Sequence, residues 1–180
     1  MLVHAPRMTN TTTAATIESL QSVPADQGDH HFFLNHLATV KVVAGGSDSG
    51  LALVEFVAPR GFGPPLHVHS EEDELMYVLE GEIRIDLASG DSTVVSPGAV
   101  VTLPHGIPHV WQVVSDEARF LTVNAGRRNA PSFDNFVAAL GTPTDPHALP
   151  DPIKIDPGHV AQVCAEHGIE VLGPPPPPLD

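Results

Sequence analysis

The chain has 180 residues, 42% of them hydrophobic and 17% charged, with 22 acidic against 8 basic side chains and a formal net charge of −14. This length fits one domain with some tail at either end, and the hydrophobic share is enough for a core. The acidic balance excludes a nucleic-acid partner and an anionic membrane surface, which need clustered Lys and Arg, and the lone Cys164 excludes an intrachain disulfide or a zinc–thiolate cluster.

Residues 1–30 are polar, Thr-rich near the start and poorly periodic, and are expected to be a flexible lead-in. They lack the apolar core and cleavage pattern of a signal peptide. No run approaches the roughly 18 apolar residues of a membrane span. The expectation is a soluble, cytoplasmic protein.

From about residue 31 the character changes. Short Val/Leu/Ile/Phe-rich segments follow one another, separated by GGSDSG, PRGFGPP, EG, ASGD, SPG, PHGIP and SDEA. Strands are predicted at 37–43, 51–58, 66–69, 74–80, 82–87, 92–95, 100–103, 109–114 and 120–124. Even spacing with turn residues between is the pattern of an all-β sandwich or barrel, and no helical stretch interrupts it. Phe133, Phe136, Val137 and Leu140 then fall at helical spacing, with Gly141 as a stop. The barrel and this helix are assigned to residues 31–141.

Residues 142–180 are a proline-rich extension. Asp156-Pro157 supplies an N-cap and a proline at the first helical position, and Val160, Val163 and Cys164 share one face until Gly168. The PPPPP run at 174–178 is expected to be a stiff, solvated polyproline II tail. The helices, together with a second copy of the chain in a homodimer, are expected to cover the outer apolar face of the sheet.

The chemistry concentrates in HVHSEEDELMYVLEGE, 67–82. On a strand, His67 and His69 share a face, roughly 6.5 Å apart along the backbone, so both rings reach one cation. Alone, the pair also fits a polar strand edge. Glu74 opens the next strand on its interior face and adds a carboxylate. Glu71, Glu72 and Asp73 are expected in the turn, facing water. In SPGAVVTLPHGIPHVWQV, Gly and Pro turns bracket a short strand that returns His109 to the start of the next one, while His105 sits exposed in the turn. His30, His31 and His36 read as surface or edge residues. Alternation carries Met76 and Val78 inward with Glu74, and Trp111 and Val113 inward with His109. These four are the candidate substrate-binding residues, in an apolar pocket with no Lys or Arg to clamp an anion.

These segments resemble the two signature motifs of the cupin superfamily. Gly61, His67, His69, Glu74 and Gly81 stand at every spacing of the first, and Gly98, Pro104, Gly106 and His109 match the second, whose final Asn is here Val113. The resemblance covers about residues 37–136. It implies a small antiparallel jelly-roll barrel and a metal set of His67, His69, Glu74 and His109. Three imidazoles and a carboxylate suit one divalent first-row transition ion, whether Fe, Mn, Ni, Co, Cu or Zn. The arrangement of the whole chain is similar to bacterial single-domain cupins grouped with quercetin 2,3-dioxygenases. That similarity implies a dioxygenase acting with dioxygen on a small hydrophobic enol or flavonol-like substrate, with Glu74 as both ligand and catalytic base. A non-redox metal-dependent isomerase or cyclase, and a small-molecule-binding cupin without catalysis, are the alternatives.

Overall fold

The computed structural model describes residues 22–46, 50–126 and 132–179; most of the lead-in lies outside them. Twelve strands and two helices follow in chain order: β1 (Asp29–Phe33), β2 (His36–Val42), β3 (Leu51–Pro59), β4 (His67–His69), β5 (Glu72–Glu80), β6 (Ile83–Leu87), β7 (Ser92–Val95), β8 (Val100–Leu103), β9 (His109–Val113), β10 (Glu117–Gly126), α1 (Phe133–Leu140), β11 (Thr142–Pro143), α2 (Pro157–Glu166) and β12 (Ile169–Val171).

Two antiparallel sheets form a jelly roll. One has seven strands in the order β11-β1-β2-β3-β10-β5-β8, the other five in the order β12-β4-β9-β6-β7. Strands of period two put one face inward. β3 alternates so that Ala52, Val54, Phe56 and Ala58 are buried, and β10 does the same with Ala118, Phe120, Thr122 and Asn124. Both faces meet those of β6 and β9 in one core containing Ile83, Ile85, Trp111 and Val113. Gly81 sits between β5 and β6 at φ 72°, where a Cβ would run into the Glu117 carbonyl oxygen, so only glycine fits this turn.

Nine strands and both helices lie where the sequence places them, within one to three residues at their ends. Asp156 caps α2 as expected, its carboxylate accepting from the Gly158 N–H at 2.9 Å. Three strands were not foreseen. β1 pairs with β2 through a two-residue hairpin, Leu34 and Asn35, both at positive φ. The two-residue β11 pairs with β1. β12 pairs with β4, the HVH strand, matching Ile169 with His69 and Val171 with His67.

Parts of the C-terminal segment are therefore built into the barrel. β12 is a strand of the smaller sheet, and the proline run is docked on the barrel: the Leu66 N–H donates to the Pro174 carbonyl at 3.2 Å and Gln112 Nε2 to that of Pro177 at 2.9 Å. The run is thus tethered at two carbonyls, while Pro174, Pro175, Pro177 and Pro178 stay exposed to solvent as expected. The helices do not cover an outer sheet face. Phe133 and Phe136 of α1 pack on the inward rings of Phe56 and Phe33, with centroids 6.2 and 5.5 Å apart, and so close the space between the sheets. Among the described residues, no helix is long and apolar enough to cross a membrane.

Candidate metal centre

Strand alternation and cross-strand register bring the four predicted donors together. His67 and His69 are the two buried ends of β4, and His67 pairs directly with His109, the first residue of β9. These three imidazoles project from the smaller sheet. Glu74 projects from β5 of the larger sheet, facing them across the interior. All four side chains are buried, and one ligand atom from each lies within 4.8 Å of every other. Glu74 Oε2 stands 3.2 Å from His109 Nε2 and 3.7 Å from His69 Nε2. The His67 ring centroid is 4.5 Å from that of His109 and 5.2 Å from that of His69.

The outer nitrogens fix how two of the rings present themselves. His67 Nδ1 is 2.8 Å from the Pro65 carbonyl oxygen, and His109 Nδ1 is 2.9 Å from that of Ile107. A carbonyl only accepts, so each Nδ1 carries a hydrogen, which makes Nε2 the atom either ring can offer a cation; His67 Nε2 turns a lone pair into the site, while His109 Nε2 donates to Glu74 Oε2. His69 has no such carbonyl; both its ring nitrogens are buried without a hydrogen-bond partner, and its Nδ1 is 4.0 Å from Glu72 Oε2.

The charges fit a cation. Burial pulls the His67 imidazole down to about 3, helped by the neighbouring His109 and His69, and burial also lowers His69. Both are neutral ligands at ordinary pH. Burial alone would raise the Glu74 carboxyl, but the hydrogen bond from His109 and the surrounding imidazoles outweigh it and hold it at about 2. Burial likewise opposes the charged form of His109, and the bond to Glu74 reverses this and raises it. An ionised carboxylate among three imidazoles, with orphaned nitrogens on His69, is a donor set that fits a divalent first-row ion.

Three of the donors, His67, His69 and Glu74, line an apolar cavity of about 50 Å³, room for little more than an ion and a few waters. Trp111 lines it, as does Phe62, whose ring centroid is 5.5 Å from the indole. Among the described residues, no Lys or Arg lines it. Met76, Val78 and Val113, expected on its wall, are fully buried but do not line it. They do point inward, but deeper than Glu74 and Trp111, where facing core side chains fill the space. The outer wall comes from the C-terminal segment instead, through Phe133, Val160, Cys164 and Val171. Burial lifts the Cys164 thiol to about 11, so it is a neutral wall group.

Two further expectations are corrected. Glu72 does not face water. β5 begins two residues earlier than predicted, which puts Glu72 on the same inward face as Glu74, with 4% exposure. It accepts from the Phe133 N–H at 3.2 Å, and burial raises its carboxyl to about 7. His36 is not a surface residue. It is 1% exposed and lines the cavity, since β2 starts with its side chain inward. The HxF/Y-like alternation His31, Phe33 against His36, Ala38 was the available signal for both the hairpin and the burial. His105 is exposed, as expected, and bonds Asp73 through its N–H and Nδ1.

A double-sheeted antiparallel barrel with three histidines from one sheet and a glutamate from the other is an arrangement that could hold a metal ion. The family model described as a cupin domain matches residues 53–124, a stretch that includes all four donors. It is 32% identical to a germin-like protein, subfamily 2 member 4, of Arabidopsis thaliana over 63% of this chain and 53% of that one. It is 27% identical to quercetin 2,3-dioxygenase of Bacillus subtilis over 66% of this chain and 34% of that one. The chain thus spans about half or less of these curated relatives. Among solved structures, an RmlC-like cupin from Shewanella frigidimarina aligns with TM-score 0.52 at 16% identity, over 62% of this chain and 95% of that one. A sugar phosphate isomerase of the cupin superfamily from Silicibacter pomeroyi aligns with TM-score 0.51 at 22% identity, over 58% and 75%. Both likenesses concern the fold.

Proposed function

We propose that this chain is a metal-dependent cupin dioxygenase acting on a small hydrophobic enol or flavonol-like compound. The observation that carries the reading is the joining of a His67, His69, Glu74 and His109 donor set to a cavity walled by aromatic and aliphatic side chains. The 27% identity to a quercetin 2,3-dioxygenase supports the choice of chemistry. A divalent first-row ion held by these four residues would acidify a substrate hydroxyl and offer open positions for substrate and dioxygen.

The chain's own residues supply the rest. Glu74 is ionised at neutral pH and lies 3.2 Å from His109 Nε2, so its second oxygen is available to take the substrate's hydroxyl proton. The backbone carbonyls of Pro65 and Ile107 hold two imidazoles in the ligating tautomer. Trp111 and Phe62 offer flat apolar surface to a ring. Phe133, Val160 and Val171 keep bulk water from the donors. Pockets for drug-sized ligands run to roughly 300–1,000 Å³, so a full flavonol is admitted only if this C-terminal wall parts. Smaller enols need less.

The test is elemental analysis of the purified protein joined to oxygen-uptake measurements over a panel of flavonols and simpler enols. One bound first-row ion with substrate-dependent oxygen uptake is the expected result. Turnover without oxygen uptake would replace the reading by a non-redox isomerase or cyclase. Ligand-induced thermal stabilisation with no product would replace it by a binding protein.

A further inference from the structure

His36 is a polar group in the cavity that the metal site leaves unused. Its ring lies among Phe33, Phe56 and Phe62, with centroids 5.4, 5.3 and 4.1 Å away. Its Nδ1 is 3.4 Å from the Leu34 carbonyl oxygen, its Nε2 is buried with no hydrogen-bond partner, and the ring lines the same cavity as His67, His69 and Glu74. Buried polar groups are nearly always paired, so an orphan beside a cavity calls for an explanation.

The backbone beneath it is unusual too. Leu34 and Asn35 stand at φ 49° and 71°, a conformation uncommon for a leucine. It is held by Asn35, whose side chain bonds both the N–H and the carbonyl of Ile153 at 2.9 and 3.0 Å. A two-residue turn clamped at its tip fixes the register of Phe33 against His36, and so aims the imidazole.

We propose that His36 Nε2 is the polar recognition point of the cavity, a hydrogen-bond acceptor for a hydroxyl on an otherwise apolar, ring-bearing ligand. The Leu34 carbonyl can only accept, so Nδ1 carries the hydrogen and Nε2 offers a lone pair. Burial holds this imidazole at about 3, so it is neutral and accepting throughout the ordinary pH range. An acceptor in an apolar cage selects for a donor. A ligand bearing a hydroxyl satisfies it, whereas one lacking the hydroxyl, or bearing only acceptors, leaves it orphaned. The inference rests on the preceding section for where the ligand lies, and not for what reaction follows.

The experiment compares phenol with toluene, which has nearly the same shape and no donor, so that both ask the same yielding of the C-terminal wall around a cavity of about 50 Å³. Both are titrated into the full-length protein as purified, and into the His36→Phe and His36→Gln variants, with metal content measured in each. Wild type should bind phenol on the order of tenfold more tightly than toluene. His36→Phe should erase that ratio while retaining toluene binding and metal, and His36→Gln, which keeps an acceptor, should restore part of it. The same ratio in wild type and His36→Phe would overturn the proposal, because the phenol oxygen would then be bound elsewhere, at the metal above all. Equal or absent binding of both ligands to wild type would overturn it as well. If His36→Phe does not fold, the His36 Nε2 nitrogen resonance of the wild type decides. It should move on adding phenol and not toluene, and an unmoved resonance sinks the proposal. Oxygen uptake separates this outcome from that of the dioxygenase reading. A His36-dependent phenol preference without any uptake sinks only the latter, and uptake with a His36-independent preference sinks only the former.

Discussion

Acid should destabilise this protein through His36, and the size of the effect follows from its burial. The ordinary imidazole value of 6.5 falls to about 3 in the fold because the fully buried ring loses its hydration. The unfolded chain therefore binds a proton below pH 6.5 that the folded one refuses until about pH 3. The stability linked to this group is whole above pH 6.5 and drains away as pH falls. Between pH 8 and pH 5 the loss is about 2 kcal/mol, and by pH 4 about 3 kcal/mol. His67 has a shift of the same sign, so the wild-type profile alone would not isolate His36. A difference does. Chelator-stripped wild type and His36→Phe are unfolded in denaturant from pH 8 to pH 4, and the variant's stability is subtracted at each pH. Repacking around the phenyl ring adds a constant offset, while the slope belongs to the imidazole. Wild type should lose about 2 kcal/mol relative to the variant by pH 5, equivalent to roughly 4–8 °C in melting temperature for a chain of this size. Parallel profiles would refute the reasoning, since they would mean that water reaches the ring.

Three further outcomes follow from the same geometry. Glu74→Gln should keep bound metal with an affinity weakened on the order of tenfold, yet lower oxygen uptake by roughly a hundredfold or more, because the proton acceptor is gone; elemental analysis and an oxygen electrode read the two effects, and undiminished uptake would end the role of Glu74 as base. Glu72 carries the opposite linkage from His36. Its carboxyl is raised from 4.5 to about 7 by burial, so it costs nothing below pH 4.5 and its cost grows until pH passes 7. The stability advantage of Glu72→Gln over wild type should therefore widen by roughly 2 kcal/mol from pH 5 to pH 8 in denaturant titrations, and a constant gap would count against the burial. Gly81→Ala should cost more than about 2 kcal/mol, through a left-handed backbone and a collision with the Glu117 carbonyl; chemical denaturation with a loss below 1 kcal/mol, well under about half that estimate, would show that the turn relaxes.

The barrel was legible because its strands are governed by short-range rules. Alternation and Gly/Pro punctuation placed β2 to β10, and the fixed spacing of His67, His69, Glu74 and His109 named the donors before any fold was known. What escaped depends on partners distant in sequence. The three residues of β12 carry too little pattern to be recognised, and they become a strand only because β4 offers an unpaired edge. Glu72 looked like one more solvated acid in SEEDE until β5 began early enough to turn it inward. Phe33 stands close to His36 in sequence, but Phe56 and Phe62, which complete the cage around its ring, do not. The inward direction of Met76, Val78 and Val113 was foreseen correctly, but alternation gives the side of a sheet and not the depth at which the core closes.

The pairing of β12 with β4 bears on how the molecule is made. The donors at 67, 69, 74 and 109 leave the ribosome before the wall at 133, 160 and 171 exists. A half-made chain can thus assemble its ligands while they still stand open, and the last strand to emerge seals the chamber over whatever has been loaded. Exchange of any ion held by these residues would then be limited by how often β12 peels from the HVH edge, and the chance to choose one would fall chiefly during birth.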